Sequence, residues 1–187
     1  MFDGSCPWGR APRPFLSQDI VAEVAFEAWQ RSAYFRLRQQ IFAGEQGLFE
    51  GSDGDEWDRC ATPIVALSRV LGIADEVVGV VRIYPANGCP ESGSTWYGGR
   101  LAVARDYRRV GAVGGALIHT AVSTAHALGC TRFLATVQAQ NVRYFEHYHF
   151  RREGEVDVCG RPHTLMQADL ASYPPCPKAL ALARRAA

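Results

Sequence analysis

The sequence predicts one mixed α/β domain, a sheet of several strands packed against a few helices. Three observations carry this. Two β-branched runs, TPIVALSRVLG and EVVGVVRIYP, lie close together as a hairpin would. A helix-like stretch of small and apolar residues, GALIHTAVSTAHALG, stands between two strand-like segments. A chain of 187 residues that is 48% hydrophobic can bury one core of ordinary size, whereas two domains would each be small.

Taken in order, DIVAEVAF alternates well enough for a strand, and WQRSAYFRLRQQIF fits a helix best. GEQGLFEGSDGDEWD breaks the pattern as a loop. The hairpin follows, with its turn expected at Asp75 and Glu76, and then a Gly/Ser/Pro-rich loop, NGCPESGS. STWYGGRLAVA reads as a strand, a glycine-rich turn leads into the small-residue helix, and Gly129 stands where a helix end favours a left-handed residue. TRFLATVQ is a buried strand, NVRYFEHY a short helix with Asn141 as N-cap, and two strands are expected around GRPH. The predicted order is β, α, loop, β, β, β, α, β, α, β, β. Residues 1–16 and 174–187, rich in proline at their core-facing ends, read as an N-terminal arm and a C-terminal tail around a domain at 17–173.

Composition narrows the function. Twenty basic against nineteen acidic side chains leave a formal charge of +1, so there is no electrostatic footprint for nucleic acid or an anionic membrane. No stretch approaches the ~18 apolar residues of a membrane span, and the N-terminus lacks the pattern of a secretory leader, so a cytoplasmic protein is expected. The six cysteines form no C-x-x-C pair and have no histidine at ligand spacing, which argues against a metal site or a disulfide framework. Whether the chain pairs as a homodimer stays open.

The chemistry concentrates in RLAVARDYRRVGAVGGALI, Arg100 to Ile118, where a strand runs into a basic, glycine-rich turn and directly into a helix. Glycines let the backbone approach a pyrophosphate, the helix N-terminus adds partial positive charge, and Arg108 and Arg109 can supply charge-assisted hydrogen bonds. A tight strand-to-helix connection would need the same glycines. There is no G-K-[ST] of a P-loop, and no G-x-G-x-x-G with an acidic residue about twenty positions on.

LAV followed by DYRR, a glycine turn and GALI resembles the acetyl-CoA-binding strand, pyrophosphate loop and helix of the GNAT N-acetyltransferases. The resemblance implies the acyl-CoA N-acyltransferase fold, a mixed, mostly antiparallel twisted sheet flanked by helices, with acetyl-CoA as donor. It assigns the cofactor to Leu101, Ala102 and Val103 on a strand splayed from its neighbour, and to Arg108, Arg109, Val110, Gly111, Ala112, Val113, Gly114 and Gly115 in the turn. In the family loop, Q/R-x-x-G-x-G/A, either Arg108 pairs with Gly111, or Arg109 pairs with Gly114 while Ala112 takes the middle glycine position. Downstream, VQAQNVRYFEHYHF resembles the second cofactor segment, placing Asn141 and Phe145 beside CoA. His149 stands where the family has glycine. Phe145 also occupies the position of the tyrosine that serves many members as general acid, so Tyr144 or Tyr148 is expected to substitute, unless water supplies the proton.

An amine must lose a proton before it attacks a thioester, and carboxylates also attract a cationic amine. Glu45, Asp53, Asp55, Glu56 and Asp58 cluster in the acidic loop with Phe49 and Trp57, and the resemblance places this loop over the acceptor. Glu45 is therefore a candidate base, and Glu45, Asp55, Glu56, Trp57, Arg82 and His163 are candidate contacts to a small, cationic amine. A solvated loop with helix-capping aspartates would have the same composition. The signatures EQGLF, PIVALSRV, VVGVVRIY, WYGGRLAV, GCTRFLATVQAQN and GRPHTLMQADL resemble, more narrowly, a bacterial GNAT branch found near nitrilase genes. Two rivals stand beside this reading. Arg36 or Arg38, Phe42, Asp55, Asp58 and Arg82 resemble the acyl-homoserine-lactone synthases, users of S-adenosylmethionine and acyl carrier protein. A catalytically idle CoA-binding module would explain Phe145, and Tyr97 where some members keep a glutamate base.

Overall fold

The computed structural model describes residues 16–88, 94–109, 112–158 and 160–176. Seven strands form one sheet in the order β1-β2-β3-β4-β5-β7-β6: Ile20–Val24, Thr62–Val70, Ile73–Pro85, Ser94–Val103, Cys130–Gln138, Phe150–Val158 (β6) and Arg161–Ala168 (β7). All neighbours are antiparallel except β4 and β5, whose connection crosses over through a helix as parallel pairing requires. The predicted order of elements is the observed one.

The alternation of β2 and β3 builds a core on each face. Ile64, Ala66, Val81 and Ile83 point to one face, where helix α2 (Val113–Ala127) packs, and Val65, Leu67 and Val80 point to the other, against α1 (Ala28–Arg38). Gly79 on β3 admits α2 this closely, because a Cβ there would stand 2.8 Å from Leu117 Cδ1 and 2.9 Å from Val113 Cγ1. Helix α2 ends as expected, with Gly129 at φ +91°.

Local chemistry corrects several expected boundaries. The hairpin turn is Leu71–Gly72, both at positive φ (+53° and +80°), and Asp75 and Glu76 lie within β3. Paired left-handed residues match the strand twist of a two-residue hairpin, and that requirement outweighed the polarity of Asp75 and Glu76. Helix α1, opened by a reciprocal Glu27–Gln30 capping box, does not run on as α-helix but passes at Gln39 into a π-helical stretch to Glu45. Asn141 precedes helix α3 (Val142–His147) at the end of a short 3₁₀ turn, and its side chain makes no capping bond. His149 takes φ +57°, a conformation glycine adopts without strain, which accounts for the residue type expected there by resemblance. Of the C-terminal tail, the described part rests on α2, where the Cys176 amide donates to the Ser123 carbonyl.

Candidate active site

The site begins with a defect in the sheet. β4 and β5 pair only from Ser94 to Gly98 against Cys130 to Ala135. Beyond this, β4 stays on β3 and β5 continues on β7, so the two central strands diverge and their facing backbone groups leave the ladder. At the divergence β4 carries a bulge. Val80 pairs with Ala102 and Arg82 with Gly99, so Arg100 and Leu101 together stand opposite Val81, and Arg100 adopts φ +54°. Left-handed backbone at an arginine is uncommon and persists where its surroundings hold it.

Two adjoining cavities open at this split. The smaller, about 320 Å³, lies at the start of α2 and is lined by Leu101, Ala102, Val103, Arg108, Val113, Gly114, Asn141, Tyr144 and Phe145 among others. The structure thus gathers most of the residues expected at the cofactor. The early N–H groups of α2 have no intrahelical partners and no acidic residue lies in its first turn, so this end suits an anion. Arg108 donates from Nε to the Val103 carbonyl (2.9 Å) and from Nη2 to Glu45 Oε2 (2.6 Å). Glu45 is therefore the partner of Arg108, at the end of the π-helical stretch, and lines neither cavity. Arg109 and Ala112 are exposed beside the cradle, and Val110 and Gly111 lie outside the described residues.

The rings of Tyr144 and Tyr148 lie against each other with centroids 5.0 Å apart, and their hydroxyls lie against Gly114 and Gly115. A Cβ on Gly114 would stand 2.5 Å from the Tyr144 oxygen, so both glycines are needed for this contact. Burial, reinforced by the neighbouring Tyr148, pushes the Tyr144 phenol well above its ordinary range. The two candidate acids accordingly stand at the helix end of the cradle. Phe145, at the expected acid position, lines both cavities.

The larger cavity, about 390 Å³, passes through the split and has walls from both faces of the sheet. On the α1 face Trp57, Tyr84 and Tyr97 form a ladder of stacked rings, with centroids 5.0 Å and 5.8 Å apart. Arg82, Arg100, Asp55 and Phe49 complete that half, and His163 on β7 reaches it from the far rim. On the α2 face the walls are Ile118, Ala121, Val122, Phe133, Val137 and Phe150.

The acidic loop is organised by three arginines that composition alone did not connect to it. Arg38, wholly buried, donates from Nε to Asp53 (2.7 Å), from Nη1 to Asp58 (2.6 Å) and Tyr34 (3.1 Å), and from Nη2 to Asp58 (3.1 Å) and the Asp53 carbonyl (3.2 Å). Arg82 holds Asp55 with both terminal nitrogens (2.6 and 2.5 Å) and Asp58 with one (2.8 Å), and Arg100 reaches Asp53 and Asp55. Asp55 and Asp58 also form a capping box on the short 3₁₀ helix Glu56–Arg59. Burial would raise the Asp58 carboxyl, but the bonds from Arg38 and Arg82 outweigh it and hold it at about 2. Asp55 is likewise held below the usual carboxylate range by Arg82 and Arg100 against the opposing effect of burial.

The aspartates of the expected acidic cluster are thus ion-paired rather than free. Three carboxylates are matched by three guanidinium groups, and Glu56 is exposed outside both cavities. Burial, and after it the neighbouring Arg82, lowers the Arg100 pKa against the opposing effect of Asp55 and Asp53. Of the two arginines weighed in the sequence, Arg38 joins the network and Arg36 is exposed. The residues that sequence reasoning missed are Tyr84 and Arg100; the signal available was the alternation of β3, which puts Tyr84 on the same face as Arg82.

His163 Nδ1 stands 2.8 Å from the Arg161 carbonyl oxygen. A carbonyl only accepts, so in the neutral ring Nδ1 carries the hydrogen and Nε2 keeps its lone pair.

Residues 19–150 match the Acetyltransferase (GNAT) family. The chain belongs to this family. As a GNAT protein it shares its fold with an N-acetyltransferase from Lactobacillus plantarum, at 21% identity over 80% of this chain and 97% of that one with a TM-score of 0.67. It is also similar to ElaA from Escherichia coli (20% identity, 81% and 99% covered, TM-score 0.63). A third similar structure is BjaI, a CoA-dependent acyl-homoserine lactone synthase seen with SAM and isopentyl-CoA (20% identity, 89% and 88% covered, TM-score 0.61). No curated protein matches the sequence significantly. Among the described residues no helix is long and apolar enough to cross a membrane.

Proposed function

We propose that this GNAT protein transfers an acyl group from an acyl-CoA to the primary amine of a small molecule, by direct attack in a ternary complex. The observation that supports the reading is the meeting of the split strands with the start of α2: the two cavities adjoin there, sharing Gln46, Leu101, Asn141 and Phe145. In it the pyrophosphate lies against the start of α2 with Arg108, and Arg109 beside it. The pantetheine arm takes up backbone groups of 99–103, and the thioester reaches the bulge, where N–H groups near Leu101 polarise its carbonyl. Asn141 and Phe145 flank the arm. Acetyl-CoA is the simplest such donor.

The amine enters along Trp57, Tyr84 and Tyr97. It gives up one proton, its nitrogen bonds to the carbonyl carbon, the C–S bond breaks, and the CoA thiolate takes one proton. Asp55 is a poor base because its oxygens accept from Arg82, Arg100 and the Trp57 amide. His163, with Nε2 unprotonated, is the base we favour. Tyr144 lies by the pyrophosphate rather than the thioester in this arrangement, so water protonates the thiolate.

One observation favours a second reading. Arg38, Asp55, Asp58 and Arg82, the residues that resemble the lactone synthases, assemble into a single network on the acceptor wall. S-adenosylmethionine is then the amine. Calorimetric titration with CoA, and thiol release from acetyl-CoA with a panel of amines and with S-adenosylmethionine, test both. CoA binding in the micromolar range, weakened about tenfold or more in Arg108→Ala as loss of a charged hydrogen bond worth ~1.5–3 kcal/mol requires, supports the cradle. Unchanged binding in Arg108→Ala refutes it, and thiol release only with S-adenosylmethionine selects the second reading.

A further inference from the structure

The larger cavity has two halves of opposite chemistry, and only one is needed by the acceptor. On the α1 face it presents guanidinium groups, a carboxylate and three stacked rings. On the α2 face its wall is apolar: Ile118 and Val122, one turn apart on α2, with Phe133, Val137 and Phe150, each 5% exposed or less. None of these offers a hydrogen bond to an amine. The two halves meet at Gly98 and Gly99. Gly98 points to the apolar side, where a Cβ would stand 2.8 Å from Phe133 Cζ, and Gly99 to the polar side, 3.8 Å from Arg82 Nε. The Phe133 ring packs on Gly98 in place of a side chain, Gly99 leaves its own side clear, and both glycines and Phe133 line the one cavity that joins the halves.

A thioester at the bulge therefore has two directions open to its substituents. The attacking nitrogen has to come from the polar half, where its charge and hydrogen bonds find partners. The carbon attached to the carbonyl then points to the apolar half, which an acetyl group's single methyl does not exploit. We infer that the preferred donor carries an acyl chain of several carbons, seated through the strand split against Ile118, Val122, Phe133 and Phe150. This rests on the reading of the site as an acyl-CoA transferase and replaces acetyl by a longer group.

The test needs no acceptor. Dissociation constants are measured by calorimetry on the full chain for CoA, acetyl-CoA, butyryl-CoA, hexanoyl-CoA and octanoyl-CoA. Affinity should rise about fourfold per methylene, the worth of one buried CH₂, and then level off as the chain outgrows the pocket. Val122→Phe should remove the gain for the longer chains while CoA and acetyl-CoA bind as before. Ala121→Val, a milder intrusion on the same wall, should shorten the preferred chain if the phenylalanine variant does not fold. A flat series in the wild type, or tightest binding of acetyl-CoA, overturns the inference while leaving the transferase reading intact. Failure of CoA and every thioester to bind refutes the transferase reading itself.

Discussion

Arg38 is the side chain whose removal the structure prices most clearly. It is fully buried, its guanidinium donates to Asp53, Asp58, Tyr34 and the Asp53 carbonyl, and the Asp53 residue is only 3% exposed. Arg38→Met keeps the apolar stem and removes the charge. Asp53 is then left with Arg100 at 3.2 Å, Asp58 with Arg82 at 2.8 Å, and three carboxylates face two guanidinium groups. Breaking a buried pair from one side costs about 3–5 kcal/mol, because the remaining charge cannot return to water. For a chain of this size that corresponds to a fall of about 6–20 °C in the unfolding midpoint. Urea unfolding followed by circular dichroism measures it. Adding Asp53→Asn to the variant removes one stranded charge, so the double change should be less destabilising than the two single costs combined. A loss under about 1 kcal/mol, or strict additivity, would show that the network is a solvated surface arrangement and refute the reasoning.

Two further outcomes follow from the same geometry. Gly79→Ala should cost about 1–3 kcal/mol by overpacking, since its Cβ would meet Leu117, Val113 and, at 3.3 Å, the Ala102 carbonyl; urea midpoints within experimental error of the wild type would refute the close approach of α2. The Asp55 and Asp58 carboxyls titrate lower in the folded chain than the ordinary 3.8, so their contribution to stability is complete above that value and is lost as pH falls, for Asp58 through about 2. Unfolding midpoints should thus fall below pH 4, and less steeply in Asp58→Asn; an equal slope in both proteins would mean that Asp58 contributes nothing.

The order of elements was legible in the sequence because it depends on period and on strong local signals: the β-branched runs of β2 and β3, the small residues of α2, and Gly129 at its end. The strand and helix that frame the basic turn were legible for the same reason, since β4 and α2 follow each other closely in the chain. What escaped was non-local. Arg38, Arg82 and Arg100 are 15 to 47 residues from the Asp53 and Asp55 groups they bind, and nothing in the loop's composition distinguishes a neutralised aspartate from a free one. The bulge escaped because STWYGGRLAVA reads as one unbroken strand; only the register against β3 shows two residues facing one. Glu45 was expected at the acceptor and meets Arg108 because the π-helical stretch re-aims the end of the first helix.

The network and the split belong to one design problem. Diverging β4 from β5 exposes backbone groups in the middle of a sheet, which is tolerable only if another molecule's polar groups complete them and the surroundings keep the strands apart. The α2 face is held by dense apolar packing, but the loop at 46–60 has few large apolar side chains besides Leu48, Phe49 and Trp57 and cannot be fixed that way. Ion pairs fix it instead, and they do so through Arg100, which is itself a residue of the bulge. Loop, polar cavity wall and bulge are thereby tied together by ion pairs, so a change in any of the three arginines should disturb all three, the left-handed backbone at Arg100 included.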